Sequence, residues 1–282
     1  MNGFSTYLRE RFPLPAVLAF AIGTSGLLVG FVSPYEPSGK YWTITGFVAL
    51  AFVAFLLRIR VTDEFKDAHH DDLHYPGRPV QRGVITRPSL VVVGVVALTV
   101  EIGSVVAAGV LAGTPASALW YLAVLAHSAL TAVEFFVPNW LERHFTTYFI
   151  SHQLISVWFA VWAIALFATP PSFAIVYAAT GFVFALALVE IVRKFEVRTD
   201  SAGAVVPDTY PTVWGRTRTL VILAVFAFIV GERLYLASGN FTVEAIGLTA
   251  VIGIVVFRKS DAAVRTIAML SFLATATVEF FT

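Results

Sequence analysis

The sequence predicts an all-α fold, a polytopic membrane bundle of nine transmembrane helices around a central cavity open to the cytoplasmic mouth. Three observations lead there. Hydrophobic residues make up 58% of the 282-residue chain and charged residues only 13%, far from the composition of a soluble domain. The apolar residues gather in runs, most of them near the roughly 20 residues that a helix needs to cross a bilayer core. Nine runs also place nearly all cations on one side.

The first run, 14–31, follows MNGFSTYLRERFPLP, which carries charge but no small-residue cleavage site, so it reads as a retained span rather than a removed signal peptide. The second, 42–59, lies beyond the turn sequence SPYEPSG. Runs 89–112 and 116–137 are parted by Gly113-Thr114-Pro115, and 145–168 and 173–192 by ATPPS. Runs 219–236 and 243–257 flank ASGN, and 262–281 comes last. Run 243–257 is the shortest, and without it the C-terminus would change sides. Residues 1–282 thus read as one transmembrane domain with two polar loops, 58–88 and 193–218.

Cytoplasmic loops retain Lys and Arg. With nine helices, only Lys40 and Arg233 of the 19 cations fall on the far side. The N-terminus and both polar loops are therefore expected in the cytoplasm, as two halves of one site in an integral protein of the cell membrane. A formal charge of +1 gives no reason to expect nucleic acid, whereas membrane lipids are expected partners. The absence of cysteine excludes disulfides, thiolate metal sites and a cysteine nucleophile.

The first loop reads RVTDEFKDAHHDDLHYPGRPVQRG from Arg60 to Gly83. Nothing through Asp72 would stop the second helix from continuing past the membrane surface, so Asp63, Asp67 and Asp71 recur every four residues on one face. Carboxylates so placed repel one another, and Mg2+ would relieve that, since it takes a few carboxylates together with phosphate oxygens. A solvated acidic helix end balanced by Arg60 and Lys66 is the alternative. Arg78 and Arg82, on a proline-stiffened turn, suit diphosphate oxygens or anionic lipid head groups. A zinc reading of Asp67, His69, His70 and His74 is weaker, because adjacent histidines on a helix point about 100° apart.

Asp63-Glu64-x-x-Asp67-x-x-x-Asp71, followed by Pro76-x-Arg78-Pro79 and Arg82-Gly83, resembles the N-D-x-x-D-x-x-x-D and P-x-R-P-x-x-x-G signature of the UbiA superfamily of intramembrane prenyltransferases. The departures are Asp63 for Asn and Glu64 for Asp, and both keep an oxygen ligand. The second motif, usually D-x-x-x-D, reads Glu196-x-x-x-Asp200, and Asp208-Thr209-Tyr210-Pro211 resembles the threonine-led segment before helix seven. Arg193 and Lys194 intrude just before it.

The resemblance implies Mg2+ as cofactor, with Asp63, Glu64, Asp67, Asp71, Glu196 and Asp200 as metal ligands. It implies an isoprenoid diphosphate donor and an acceptor of unknown identity, with Lys66, Arg78, Arg82, Arg143, Arg193, Lys194, Arg198 and Tyr210 around the substrates. Asp63, Asp67, Asp71, Arg78 and Lys194 would carry the chemistry. The implied mechanism is electrophilic: positive charge stabilises the departing diphosphate while the allylic carbon becomes cationic. The divergent second motif also admits a terpene cyclase, or a transferase moving a phosphorylated sugar onto a prenyl phosphate. A lipid transporter or lipid-binding protein would more naturally carry broken helices and midplane charge.

Inside the spans, Glu101, His127, Glu134, His152 and Gln153 are polar residues in an expensive place. His127 and Glu134, seven residues apart, are expected on one helix face. Glu232 and Arg233 are expected to pair at the far interface.

Overall fold

The computed structural model describes residues 3–33, 38–170 and 172–281, the last three by backbone alone, so most of SPYEPSG lies outside the described residues. A short helix α1 (Gly3–Arg11) precedes α2 (Leu14–Val32) and α3 (Gly39–Lys66). Ser38 caps α3 by accepting from the Tyr41 amide. At about 1.5 Å per residue this 28-residue helix is about 42 Å long, more than the roughly 30 Å of a bilayer core. The excess amounts to about two turns, and α4 (Ala68–His74) continues the first loop.

Helix α5 (Arg87–Ala112) starts at Thr86, whose side chain accepts from the Ser89 amide, and ends where Gly113 adopts a φ of 84°. Next come α6 (Ala118–Ala132), α7 (Pro138–Arg143), α8 (Phe145–Gln153) and α9 (Ile155–Phe167). After α10 (Phe173–Arg193) a small hairpin pairs β1 (Arg198–Thr199) with β2 (Val205–Val206), Arg198 opposite Val206. Helices α11 (Tyr210–Val213), α12 (Arg216–Ser238), α13 (Phe241–Val256) and α14 (Asp261–Phe281) complete the order.

Among the described residues, seven rods are long and apolar enough to cross a membrane: α2, α3, α5, α8 with α9, α10, α12 and α14. The chain is thus an all-α polytopic helical protein with the character of an integral membrane protein. Helices α6 and α13 have only 15 and 16 residues. The expected span 116–137 is cut short because Glu134, Phe135 and Phe136 all turn left-handed, at φ of 47°, 53° and 61°. That conformation costs roughly 1–2 kcal/mol per residue outside glycine. The turn itself contains no glycine or proline, and Pro138 follows only where α7 begins.

The bundle packs α3 against α5, α12 against both α10 and α13, and α2 against α14. Its main core centres on Leu27, Ile44, Phe52, Phe159, Trp162 and Phe182, with the rings of Phe52 and Phe159 stacked at 4.4 Å. A second cluster lies at the loop-bearing end around Phe149, Ile191, Phe195, Tyr210 and Leu223. Val92, Leu119, Trp120 and Phe173 point outward, as lipid-facing side chains do. A small, partly open and mainly apolar space between α10, α12, α13 and α14 has about 10 Å³, barely room for one water.

Candidate functional site

The two polar loops meet at one end of the bundle. Helix geometry breaks at Asp67, where φ and ψ are −89° and 11°. Yet the Asp67 amide donates to Asp63 O and the Asp71 amide to Asp67 O, each at 2.8 Å, so the four-residue ladder survives the bend. The carboxylates then divide into two kinds. Asp63 and Asp67 remain accessible, with their nearest cations Arg60 and Lys66 at 3.8 and 3.9 Å. Glu64 and Asp71 are buried: Glu64 accepts from Arg11 at 2.9 Å and Arg60 at 3.2 Å, and Asp71 pairs with Arg78.

Partial burial pushes the Asp67 carboxyl up to about 6, against the pull of Lys66 and with the charges of Asp63 and Asp71 adding to the rise. Lys194 on the second loop lowers it, which places that cation within electrostatic reach of the ladder. Arg193 in turn feels the charge of Asp63. The acids of one loop and the bases of the other thus lie within electrostatic reach of each other at the loop-bearing mouth of the bundle. Glu190 tempers those bases, contacting Arg193 at 2.8 Å and Lys194 at 3.4 Å, and it also accepts from the Tyr210 hydroxyl at 3.3 Å. Burial, then Glu190, push Tyr210 well above its ordinary value, so it stays protonated.

Across the loops, Tyr75 donates to Asp208 at 2.7 Å, and burial together with that bond pushes its hydroxyl up to about 12. His70 approaches Asp208, and His74 approaches Asp200, each at 3.9 Å. An open cleft of about 320 Å³ lies at this junction, lined by His74, Tyr75, Gly77, Arg78, Asp200 and Ser201 among others. Arg78 sits over the Tyr75 ring, 4.0 Å from its centre.

The second acidic motif has other engagements. Glu196 accepts from Arg198 and from Arg265, both at 2.7 Å, and Arg198 also lies 3.5 Å from Asp208. Asp200 closes the hairpin, its Oδ1 accepting from the amides of Ala202 and Ala204. Among the described residues, no three His, Asp or Glu side chains form a group that would hold a metal by itself. Arg82 pairs with Glu10 of α1 at 2.7 Å, and Arg143 on α7 donates to its own helix at Asn139 O.

Several features were invisible in the sequence. Lys66 donates to the Tyr148 hydroxyl at 3.1 Å and lies 3.6 Å from Glu134, so the left-handed turn delivers Glu134 to the mouth. His127 instead contacts Ser151 O at 2.9 Å, which corrects the expectation that His127 and Glu134 share a helix face. Beneath the mouth, Phe145, Phe149, Tyr210 and Trp214 pack ring against ring at 4.9 to 5.7 Å. Arg58, expected at the start of the first loop, lies inside α3 and binds the fully buried Glu101 through two bonds of 2.6 and 2.9 Å. Tyr121 donates to the same carboxylate, and Arg58 donates to Ser128. Glu232 and Arg233 pair at 3.2 Å, as the sequence indicates. No protein-family model matches the chain, and no curated protein matches it either.

Proposed function

We propose that this protein is a Mg2+-dependent intramembrane prenyltransferase, moving a prenyl group from an isoprenoid diphosphate to a small or lipid acceptor. One observation carries the reading: two accessible carboxylates, Asp63 and Asp67, lie within electrostatic reach of Arg193 and Lys194 at the loop-bearing end of an apolar bundle. That juxtaposition suits a molecule with an anionic head and a long apolar tail. The tail would lie among the helices, and the head would stay at the water boundary.

The residues present fit one Mg2+ better than two. Asp63 and Asp67, one helical turn apart and accessible, would hold it, with water and phosphate oxygens filling the remaining positions. Glu196 and Asp200 are committed to arginines and to the hairpin. When bound, the ion supplies positive charge opposite the departing diphosphate. Arg193 and Lys194 orient the diphosphate oxygens by charge-assisted hydrogen bonds. Arg78, stacked on Tyr75 and paired with Asp71, braces the first loop, and Tyr75 ties that loop to the second through Asp208. The aromatic rings of α8 and α11 offer a dry wall beside the carbon that becomes cationic.

The reading includes nine crossing segments, the seven long rods with α6 and α13, and a cytoplasmic mouth in the cell membrane. The chain lacks cysteine, so a single cysteine at exposed Ser201 should resist impermeant reagents in intact cells and react after permeabilisation. Reaction in intact cells would reverse the orientation. For the activity, binding of a non-hydrolysable prenyl diphosphate analogue to the purified protein in lipid nanodiscs is the test. Affinity should rise at least tenfold with Mg2+ and depend on Asp63 and Asp67. Weak binding that ignores Mg2+ and both residues would defeat the proposal.

A further inference from the structure

Helix α1 lies against the first motif. Tyr7 is fully buried among Val61, Ile85 and Leu90, and Gly3 fits so closely that a Cβ there would collide with the Val84 carbonyl oxygen. This packing seats the end of α1 beside the ladder. Glu10 reaches Arg82 at 2.7 Å, and Arg11 reaches Glu64 at 2.9 Å and Asp71 at 3.8 Å. Both carboxylates are almost completely buried, at 1% and 2% exposure.

Charge around this buried pair runs in one direction. Three guanidinium groups, Arg11, Arg60 and Arg78, surround the two carboxylates, and although Arg60 also faces Asp63 at 3.8 Å, Arg11 and Arg78 alone already balance Glu64 and Asp71. An additional divalent ion would add two uncompensated positive charges in a place shielded from water. Nothing in the first loop itself requires Arg11, which arrives from a separate helix 53 residues earlier than Glu64.

We infer that Arg11 is a built-in counter-cation for Glu64 and Asp71, holding by a guanidinium the two motif carboxylates that an additional divalent ion would otherwise occupy. The inference rests on the reading of Asp63 and Asp67 as the Mg2+ ligands, and it assigns α1 a positioning role. By neutralising Glu64 and Asp71, Arg11 confines the metal to the accessible pair and leaves Arg78 fixed between Asp71 and the Tyr75 ring.

Mn2+, an electron-paramagnetic stand-in for Mg2+, tests this by counting ions bound per full-length chain in nanodiscs. Wild type should bind one ion tightly, and the double variant Asp63→Asn, Asp67→Asn should lose it. Arg11→Gln should bind two, and the second should vanish in Arg11→Gln, Glu64→Gln. A folded Arg11→Gln protein that still binds one ion would overturn the inference while leaving the Asp63 and Asp67 reading intact. Conversely, no ion in wild type and one in Arg11→Gln would sustain the counter-cation role and sink the other reading. Should Arg11→Gln not fold, Glu64→Gln alone decides. Unchanged stoichiometry with affinity within twofold supports the inference, and a tenfold loss of Mn2+ affinity overturns it.

Discussion

The Tyr75 hydroxyl donates to Asp208 Oδ2 at 2.7 Å, joining two loops through residues 133 positions apart. A hydrogen bond to a charged group contributes about 1.5–3 kcal/mol. Arg198 and His70 remain near Asp208 when it is lost, so Tyr75→Phe should cost only about 1–2 kcal/mol. The exposed hairpin turn, residues 201–205, should then be cut faster by protease. Because the hydroxyl is raised to about 12, its contribution is complete below the unfolded value near 10 and fades as pH rises toward about 12. Identical proteolysis and thermal stability in wild type and Tyr75→Phe would show that the bridge holds nothing.

Arg58 and Glu101 form a buried pair between α3 and α5, and breaking such a pair leaves an uncompensated charge at a cost of about 3–5 kcal/mol. Arg58→Met and Glu101→Leu should each reduce the folded protein recovered from membranes severely. The double variant should recover most of it. Thermal unfolding of the three proteins measures the coupling, and additive losses would contradict it.

Helices α12 and α13 touch through Gly231 and Gly247, where a Cβ on Gly247 would lie 2.9 Å from both Ala227 O and Gly231 Cα. Gly247→Ala should destabilise by about 1–3 kcal/mol through overpacking. Gly46 on α3 has open space instead, so Gly46→Ala should be neutral or stabilising by up to about 1 kcal/mol. Equal melting shifts for the two variants would contradict this packing.

Arg193 and Lys194 are held by Glu190 yet remain in reach of the acid ladder. Neutralising both, as Arg193→Gln, Lys194→Gln, should lower the affinity for a diphosphate analogue by at least tenfold. Lys194→Arg should be milder than Arg193→Lys, because a planar fork cannot be replaced by a point charge. Equal affinities in correctly inserted protein would return these cations to a purely anchoring role.

The sequence made the apolar rods and polar loops legible because both rest on local composition. The four-residue spacing of Asp63, Asp67 and Asp71 was legible too, and the backbone bonds keep it across the bend, but the break at Asp67 and the burial of Asp71 against Arg78 were not. What stayed hidden depends on distant partners. Arg11 meets Glu64 only because Tyr7 packs against Val61, and Arg58 looks like a loop cation until Glu101, 43 positions away, is seen beside it. The early end of α6 has no glycine or proline to mark it, so the route of Glu134 to Lys66 could not be read locally. Spacing also could not tell accessible carboxylates from occupied ones, so Glu196 looked as available as Asp63 until Arg265 came into view.

The most direct test of the central claim is release of inorganic diphosphate from prenyl diphosphates by the purified protein in proteoliposomes, supplied with candidate acceptors. Release coupled to a prenylated product should require Mg2+, stop in EDTA, and fall by orders of magnitude in Asp63→Ala and in Asp67→Ala proteins that fold and insert normally. Full activity in EDTA, or undiminished activity in both variants, would contradict the account.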